Sequence, residues 1–286
     1  MTSAAGQPSR TTGQRQELDL RQLAQRRIPT VMGILNVTPD SFSDGGRFNA
    51  PDLALTQARR MIAEGADLID IGAESTRPYG GVEAVSADEE LRRLRAVLPE
   101  IVALGTPVSI DTMKAEVADW ALTNGAAMAN DVWGLQRDPD MARVVATHRV
   151  PVVVMHNRST IDPALDIVAD ILEFFGRTLE LAAGAGIATH KIALDPGIGF
   201  GKTPQQSLTA LARLAELRRF GCPILIGASR KSFIAKVIAS EPHQRLGGSI
   251  AAHLLAAQNG ANIIRAHDVA ETVQALRIAA AIEDQR

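Results

Sequence analysis

From residue 28 onward, short apolar runs alternate with longer stretches in which apolar residues recur every three or four positions. The short runs are Val31–Asn36, Leu68–Gly72, Val108–Asp111, Met128–Asp131, Val152–His156, Lys191–Asp195, Ile224–Gly227 and Ile263–His267. Most are rich in Val, Ile or Leu and are bounded by Gly, Pro or polar residues, the pattern of parallel strands buried on both faces. The stretches between and after them predict helices over Leu53–Ala63, Asp88–Ala103, Lys114–Thr123, Pro163–Ala183, Gln205–Phe220, Lys231–Ala239, Gly248–Gln258 and Ala270–Glu283. Ser86-Ala-Asp-Glu89 has the form of a capping box in front of the second helix.

Gly65, Gly105, Gly125, Gly221 and Gly260 each follow a predicted helix and introduce the next strand. Glycine there stops a helix because it takes the left-handed conformation at little cost. Eight units of about 32 residues fill residues 28–286, and no Pro/Ser-rich linker divides them. The count predicts an α/β fold, a single-domain (β/α)8 TIM barrel. A doubly wound sheet has five or six strands as a rule, and the G-x-G-x-x-G fingerprint is absent after the first strand.

Composition narrows the class further. With 46% hydrophobic and 22% charged residues the chain can bury a full core. A net charge of −2 argues against a general nucleic-acid binder, while leaving room for a local anion site. Cys222 is the sole cysteine, which excludes an internal disulfide and a cysteine-based zinc site. No apolar run approaches the roughly 20 residues that cross a bilayer. Residues 1–27 are polar and lack the apolar core of a signal peptide, so they are expected to form a flexible N-terminal extension on a cytoplasmic protein.

In such a barrel, chemistry sits at the C-terminal ends of the strands, and the polar residues collect there. Asn36, Glu74 to Arg77, Asp111, Asn130 and Asp131, His156, Asp195, Ser229 to Ser232, and Arg265 to Asp268 end or follow the eight strands in turn. Any one of them is explained by a cap or a loop hydrogen bond; eight strand ends in a row are not. Asp111, Asn130, Asp195 and Lys231 offer donors and acceptors suited to a flat, polar heterocycle. Asn36, Thr76, Arg265 and His267 suit an anion, since Arg grips phosphate oxygens with its planar fork. Strand alternation puts Arg265 and His267 on one face. The neutral oxygen of Asn36 suits a Mg2+ held mainly by substrate phosphates and water.

The strings themselves resemble the signatures of dihydropteroate synthases. They are Met32 to Gly46 (MGILNVTPDSFSDGG), Asp70 to Pro78 (DIGAESTRP), Ser109 to Thr112 (SIDT), Asn130-Asp131, Leu194 to Phe200 (LDPGIGF), Gly227 to Ser232 (GASRKS) and Arg265 to Val269 (RAHDV). These seven motifs agree in order and spacing, and the resemblance covers residues 30 to about 280. It implies an enzyme, a transferase of folate biosynthesis and a sulfonamide target. Such an enzyme joins p-aminobenzoate to 6-hydroxymethyl-7,8-dihydropterin pyrophosphate and releases pyrophosphate, with Mg2+ as cofactor. By the matching motifs, Asp111, Asn130, Asp195 and Lys231 would hold the pterin, with Met155 packing near its ring. Asn36 would bind Mg2+, and Thr76, Arg265 and His267 would take the pyrophosphate alongside it. Arg77, Pro78, Phe200 and Ser232 would border the p-aminobenzoate site, and Asp44 on the first loop would help cover the reacting centre. The catalytic set would then be Asp44, Asp111, Asp195, Lys231, Arg265 and His267. Members of this family are usually homodimers; the apolar stretch Ile250–Ala257 offers such a contact, although a core explains it equally.

The chain departs from the family pattern at Ala73, where a second Gly is usual, at Tyr79-Gly-Gly81 after Arg-Pro, and at Ala266 in place of a frequent Val. None removes a named polar group, but Tyr79 bears on how p-aminobenzoate and sulfonamides are handled. Three rival readings stand beside the synthase. Lys231 after the seventh strand is compatible with a Schiff-base aldolase. A corrinoid-methyltransferase barrel module shares the pterin site without needing a pyrophosphate group. An inactive paralogue would carry the same residues. Thr76, Arg265 and the complete first-loop string favour the synthase.

Overall fold

The structure is a computed structural model that describes residues 16–38, 50–74 and 85–285. Eight parallel strands run β1 (Thr30–Asn36), β2 (Leu68–Gly72), β3 (Val108–Asp111), β4 (Met128–Asp131), β5 (Val152–Met155), β6 (Ile192–Asp195), β7 (Leu225–Ile226) and β8 (Ile263–Ala266). Each pairs with its sequence neighbour, β8 returns to β1, and the sheet order is β6-β5-β4-β3-β2-β1-β8-β7. A single bridge, Leu194 to Ile224, spans β6 and β7 and brings the sheet nearly to closure. The expected (β/α)8 barrel is therefore present. Its weakest seam is at β7, which the run Ile224–Gly227 overstates by two residues.

The period of two along each strand sorts the core into two shells. Outward residues such as Val31, Ile69, Ile110, Val154, Leu194 and Ile264 pack under the helices in the larger cluster. Inward residues Met32, Leu68, Met128, Val153, Ala193, Leu225 and Ile263 form a second, apolar floor inside the barrel. One further residue completes that floor from below. Leu20 belongs to α1 (Leu20–Ala24), is 1% exposed, and packs into the floor with Leu18 and Leu23 against it. The flexible extension expected for residues 1–27 is thus corrected for its last part. Asp19 caps α1 by accepting from Arg21 N at 2.9 Å, and the short helix plugs the barrel. Residues 1–15 lie outside the described residues. Too few apolar residues precede position 28 to give a periodic signal, so only burial reveals the plug.

The helices match the periodic stretches with three instructive differences. The stretch Asp88–Ala103 divides into α3 (Ala87–Arg95) and α4 (Leu98–Val102), because Pro99 has no N–H for the Arg95 carbonyl and restarts a helix at its first turn. Between β4 and β5 stands α6 (Met141–His148), too short for a sustained period although Met141, Val144 and Val145 line its buried face. The stretch Gln205–Phe220 holds α8 (Pro204–Ala212) and a separate 3-10 segment, Leu214–Phe220. The Ser86 cap is half of the expected box. Its hydroxyl accepts from Glu89 N at 3.3 Å, while the Glu89 carboxylate goes to Arg92 and Arg93. The five helix-ending glycines all take positive φ.

The remaining helices used below are α5 (Ala115–Thr123), α7 (Ile167–Gly184), α9 (Ser232–Val237), α10 (Leu246–Gln258) and α11 (Val269–Glu283). His253 of α10 is buried, with Nδ1 3.3 Å from the Thr272 hydroxyl of α11, and burial depresses its pKa to about 4.

Two outcomes test this packing. Leu20→Ala should cost about 2–5 kcal/mol, the usual range for a leucine removed from a core, read as a lower urea midpoint. His253 takes up its proton near 6.5 when unfolded and only near 4 when folded. Stability is therefore lost as pH falls through that window. His253→Asn should reduce the slope of melting temperature against pH there without abolishing it, because His156 and His267 are shifted in the same direction.

Candidate functional site at the barrel mouth

One step above the apolar floor, the same inward register changes chemistry. Asp70 of β2, Asp111 of β3, Asn130 of β4, Met155 of β5, Asp195 of β6 and Arg265 of β8 each stand two residues past a floor or inward residue of their own strand. Gly227 occupies the corresponding place after β7. Strand pairing sets Gly72 beside both Asn36 and Asp111, and Met155 beside Asp195.

Arg265 crosses the interior and binds two carboxylates at once. Its Nε donates to Asp70 Oδ2 at 2.6 Å and its Nη2 to Asp111 Oδ2 at 2.8 Å. Asn130 Nδ2 donates to the same Asp70 oxygen at 3.0 Å. Arg265 was expected in an anion-binding group apart from Asp111 and Asn130; it is instead tied to both groups. Asp70, given no role from the sequence although it opens the DIGAESTRP string, is the residue that joins them. The other oxygens, Asp70 Oδ1 and Asp111 Oδ1, are buried with no hydrogen-bond partner among the described residues. Burial pushes Asp111 upward and Arg265 pulls it back. For Arg265, burial opposes the charge, but Asp70 and Asp111 hold its pKa above the ordinary value.

Asp195 is turned by its own loop: Gly197 N donates to Oδ1 at 2.7 Å. Its Oδ2 faces Gly227, where a Cβ would stand 3.9 Å from that oxygen and 4.0 Å from Arg265 Cδ. The missing side chain leaves a slot between acid and base. Burial raises the Asp195 pKa. Lys231, just before α9, sets Nζ 4.0 Å from the centre of the Phe200 ring. Burial, together with Arg265, lowers its pKa to about 8, against the pull of Asp195 and Asp111. The structure therefore brings Lys231 and Phe200 together, although they were expected to serve different ligands. Ser232, the first residue of α9, is exposed.

His267 follows β8 and is half-buried. Ser229 Oγ accepts from its backbone N–H at 3.2 Å and lies 3.0 Å from Nδ1, so this serine orients the ring. Burial, aided by Arg265 and Arg230, depresses the imidazole to about 3, which leaves it neutral near pH 7. Asp44, Thr76, Arg77, Pro78 and Tyr79 lie outside the described residues. The base of that second loop is visible: Lys114 links Glu74 at 2.6 Å to buried Glu90 at 2.8 Å, and Val85 N donates to Glu74 at 3.1 Å.

A further group went unnoticed in the sequence. Lys202 is fully buried beneath the loop after β6, its Nζ 2.7 Å from His156 Nδ1, 2.9 Å from Gly197 O and 3.1 Å from Phe200 O. His156 Nε2 meets Asp170 of α7 at 2.8 Å. The Asp170 pKa is lowered to about 2, chiefly by the His156 hydrogen bond, so it accepts, Nε2 donates, and Nδ1 must accept from Lys202. His156 itself is pulled to about 4 by burial. A lysine inside a glycine-rich loop reads as solvent-facing until the fold is known.

Carboxylates, an arginine and a lysine gathered inside the C-terminal mouth of a nearly closed parallel barrel define an enzyme of the (β/α)8 class. Residues 32–267 match the family described as pterin binding enzyme. The chain is 46% identical over 248 residues to the dihydropteroate synthase of Bacillus subtilis, covering 86% of each chain. It superposes with TM-score 0.86 on the dihydropteroate synthase of Clostridium difficile solved with pteroic acid, at 48% identity over 90% of this chain and 97% of that one. The Xanthomonas albilineans enzyme solved with 4-aminobenzoic acid gives TM-score 0.86 at 46% identity, over 90% and 94%. The chain belongs to the pterin-binding enzymes and, within them, to the dihydropteroate synthases, transferases of folate biosynthesis.

The slot at Gly227 makes a direct prediction. Its φ lies outside the left-handed region and no atom crowds a Cβ there, so Gly227→Val should fold normally by circular dichroism. Its side chain would fill the gap between Asp195 and Arg265, and calorimetry should show binding of a free pterin weakened at least about tenfold, the scale of a clash in a well-shaped pocket. Undiminished binding would remove the slot from the site.

Proposed function

We propose that the barrel mouth condenses 6-hydroxymethyl-7,8-dihydropterin pyrophosphate with p-aminobenzoate to give 7,8-dihydropteroate and pyrophosphate. The observation that carries this reading is the pair of buried carboxylate oxygens without donors among the described residues, Asp70 Oδ1 and Asp111 Oδ1, at the same level as an Asp195 oxygen that faces Gly227. Buried acceptors without donors are costly, and a flat ring edged with N–H groups supplies what they lack. In this reading Asp111, Asn130, Asp195 and Lys231 hold the pterin, and Met155 supports its ring. Phe200, Ser232, Arg77 and Pro78 border the p-aminobenzoate, where an aryl sulfonamide of similar shape would compete.

The chemistry asks little of a general base. An aryl amine is neutral at pH 7 and nucleophilic as it stands. Its nitrogen lone pair forms the new C–N bond at the exocyclic carbon, while the C–O bond breaks with its electron pair on the departing pyrophosphate. The proton then leaves the nitrogen to water. The barrier lies in the developing charge on the leaving oxygen. Arg265, kept cationic by Asp70 and Asp111, and the neutral His267 ring, oriented by Ser229, are the groups assigned to it, together with Thr76. Asp111 would also favour positive charge delocalised onto the dihydropterin.

Among the described residues no group of three or more His, Cys, Asp and Glu could hold a metal. A divalent cation here would draw most of its ligands from diphosphate and water, which suits the single neutral amide oxygen of Asn36 beside Gly72. Mg2+ held there would neutralise charge on the diphosphate. Asp44 belongs to the same proposal, as a cover over the reacting centre.

The assembly we propose is a homodimer. In Ile250–Ala257 of α10, Ala252, His253 and Ala256 face the core, whereas Leu255 is 59% exposed; Ile278 and Ile282 of α11 are each 58% exposed. An apolar patch on adjacent outer helices is the usual mark of a self-association face. No helix among the described residues is long and apolar enough to cross a membrane. The lone Cys222 is buried with its thiol pushed up to about 11 by burial, chemistry that fits the cytoplasmic setting proposed here.

Purified protein given the pterin pyrophosphate, Mg2+ and p-aminobenzoate should release pyrophosphate; none above background from folded protein would overturn the synthase reading. Arg265→Ala should lower kcat/KM about 10²–10³-fold, the range for one lost oxyanion donor. Asp195→Asn should weaken pterin binding in the absence of pyrophosphate. For the dimer, Leu255→Glu with Ile282→Glu should sediment as a monomer where the parent chain sediments as a dimer.

A further inference from the structure

The loop that follows β6 holds both edges of the site. It begins at Asp195, which is turned by Gly197 N, and it carries Phe200, over which Lys231 sits. Its backbone is unusual for so short a segment: Gly197, Gly199 and Gly201 have φ of 66°, 83° and 56°. Such a chain of left-handed residues has no repeating hydrogen-bond pattern of its own and must be held from outside. It also lies very close to the β5 end. A Cβ on Gly197 would meet His156 O at 2.0 Å, and one on Gly201 would meet Arg158 Cβ at 2.5 Å.

Lys202 supplies the hold. Its ammonium donates to Gly197 O at 2.9 Å and Phe200 O at 3.1 Å, which brackets the loop, and to His156 Nδ1 at 2.7 Å, which ties it to β5. The imidazole is fixed in turn by Asp170, whose other oxygen accepts from Arg158 at 2.7 Å. Ser207 of α8 makes the remaining anchor, accepting from Gly199 N at 3.2 Å. Burial lowers the Lys202 pKa to about 7, and stability alone does not account for a lysine here. Burying an ammonium is costly, and an apolar side chain of similar length commonly packs as well or better. What an apolar chain cannot do is bind two carbonyls and an imidazole nitrogen in one geometry.

We infer that Lys202 is a positioning residue for the reaction: through His156 and Asp170 it sets the Gly197–Gly201 turn, and thereby the placement of the Asp195 carboxylate and the Phe200–Lys231 pair against the substrates. The inference rests on the proposed synthase reaction for its kinetic arm only. Lys202→Met keeps the length and removes the donors. In the unliganded protein, amide hydrogen exchange in peptides spanning 195–203 should speed up in this variant, while peptides from β1 to β4 stay unchanged. In turnover, KM for the pterin pyrophosphate should rise at least about tenfold, the scale expected of a displaced binding group, with a smaller fall in kcat. A purely structural lysine would instead lower the folded fraction and leave KM where it was. Unchanged exchange in the loop, or an unchanged KM in folded protein, overturns the inference. If Lys202→Met does not fold, His156→Phe decides the matter: it removes the imidazole acceptor but leaves the lysine. Faster exchange in residues 195–203 of that variant supports the inference, and parental exchange overturns it. Should the parent enzyme itself release no pyrophosphate, the synthase reading fails, while the exchange result still judges the loop.

Discussion

A parallel sheet curled nearly to closure leaves each strand only two directions for its side chains, and every inward one must share a single narrow interior. This constraint organises the rest of the molecule. The outward set packs under the helices as one large apolar shell. The inward set is divided by height: Met32, Leu68, Met128, Val153, Ala193, Leu225 and Ile263 fill the floor, and one inward step higher β2, β4, β5, β6 and β8 present Asp70, Asn130, Met155, Asp195 and Arg265, with Asp111 beside them on β3. A shift of one residue in β2, β3, β6 or β8 would send a charge into the shell beneath the helices. The site is precise because the register is.

Stacking charged groups directly on an apolar floor strengthens them. Water is excluded from below by Leu20 and the floor, so the interaction of Arg265 with Asp70 and Asp111 acts in a poorly screened setting. Two of the carboxylate oxygens remain without donors among the described residues. Such an imbalance is costly in a protein interior unless a ligand relieves it, and a ring edged with N–H groups is the ligand chemistry proposed above. Arg265 and Asn130 share Asp70 Oδ2 as acceptor, and Arg265 also reaches Asp111, so these four residues form one mechanical unit.

The loops add a second level of control. After β6 the backbone runs through left-handed glycines close against the β5 end, and a buried lysine rather than a regular hydrogen-bond ladder holds it. At the β2 end, Lys114 bridges Glu74 and Glu90, with Glu74 also accepting from Val85 N. In both places a lysine ties together backbone or side-chain groups next to the C-terminal end of a strand. Arg265 works by direct charge; Lys202 and Lys114 work by geometry.

The one-dimensional pattern was enough to read the barrel, because a buried parallel strand needs an apolar run and a helix needs a stop, and both leave local marks such as Leu68–Gly72 and Gly65. It also placed Asp111, Asn130, Asp195, Lys231, Arg265 and His267 at or just beyond the ends of their strands, since polar residues after apolar runs stand out. Where local signals are weak the reading faltered. Pro99 divided a helix, α6 was too short to show a period, and Leu20 has no periodic neighbours though it seals the floor. Partnership was beyond reach altogether. That Arg265 binds Asp70 and Asp111 together, that Lys231 lies over Phe200, and that Lys202 turns inward to His156 are contacts between strands and loops far apart in the chain. The sequence by itself determined which residue types each strand presents and at what height; only the closing of the barrel decided which of them meet, because distance across the interior is set by strand order and register and not by separation along the chain.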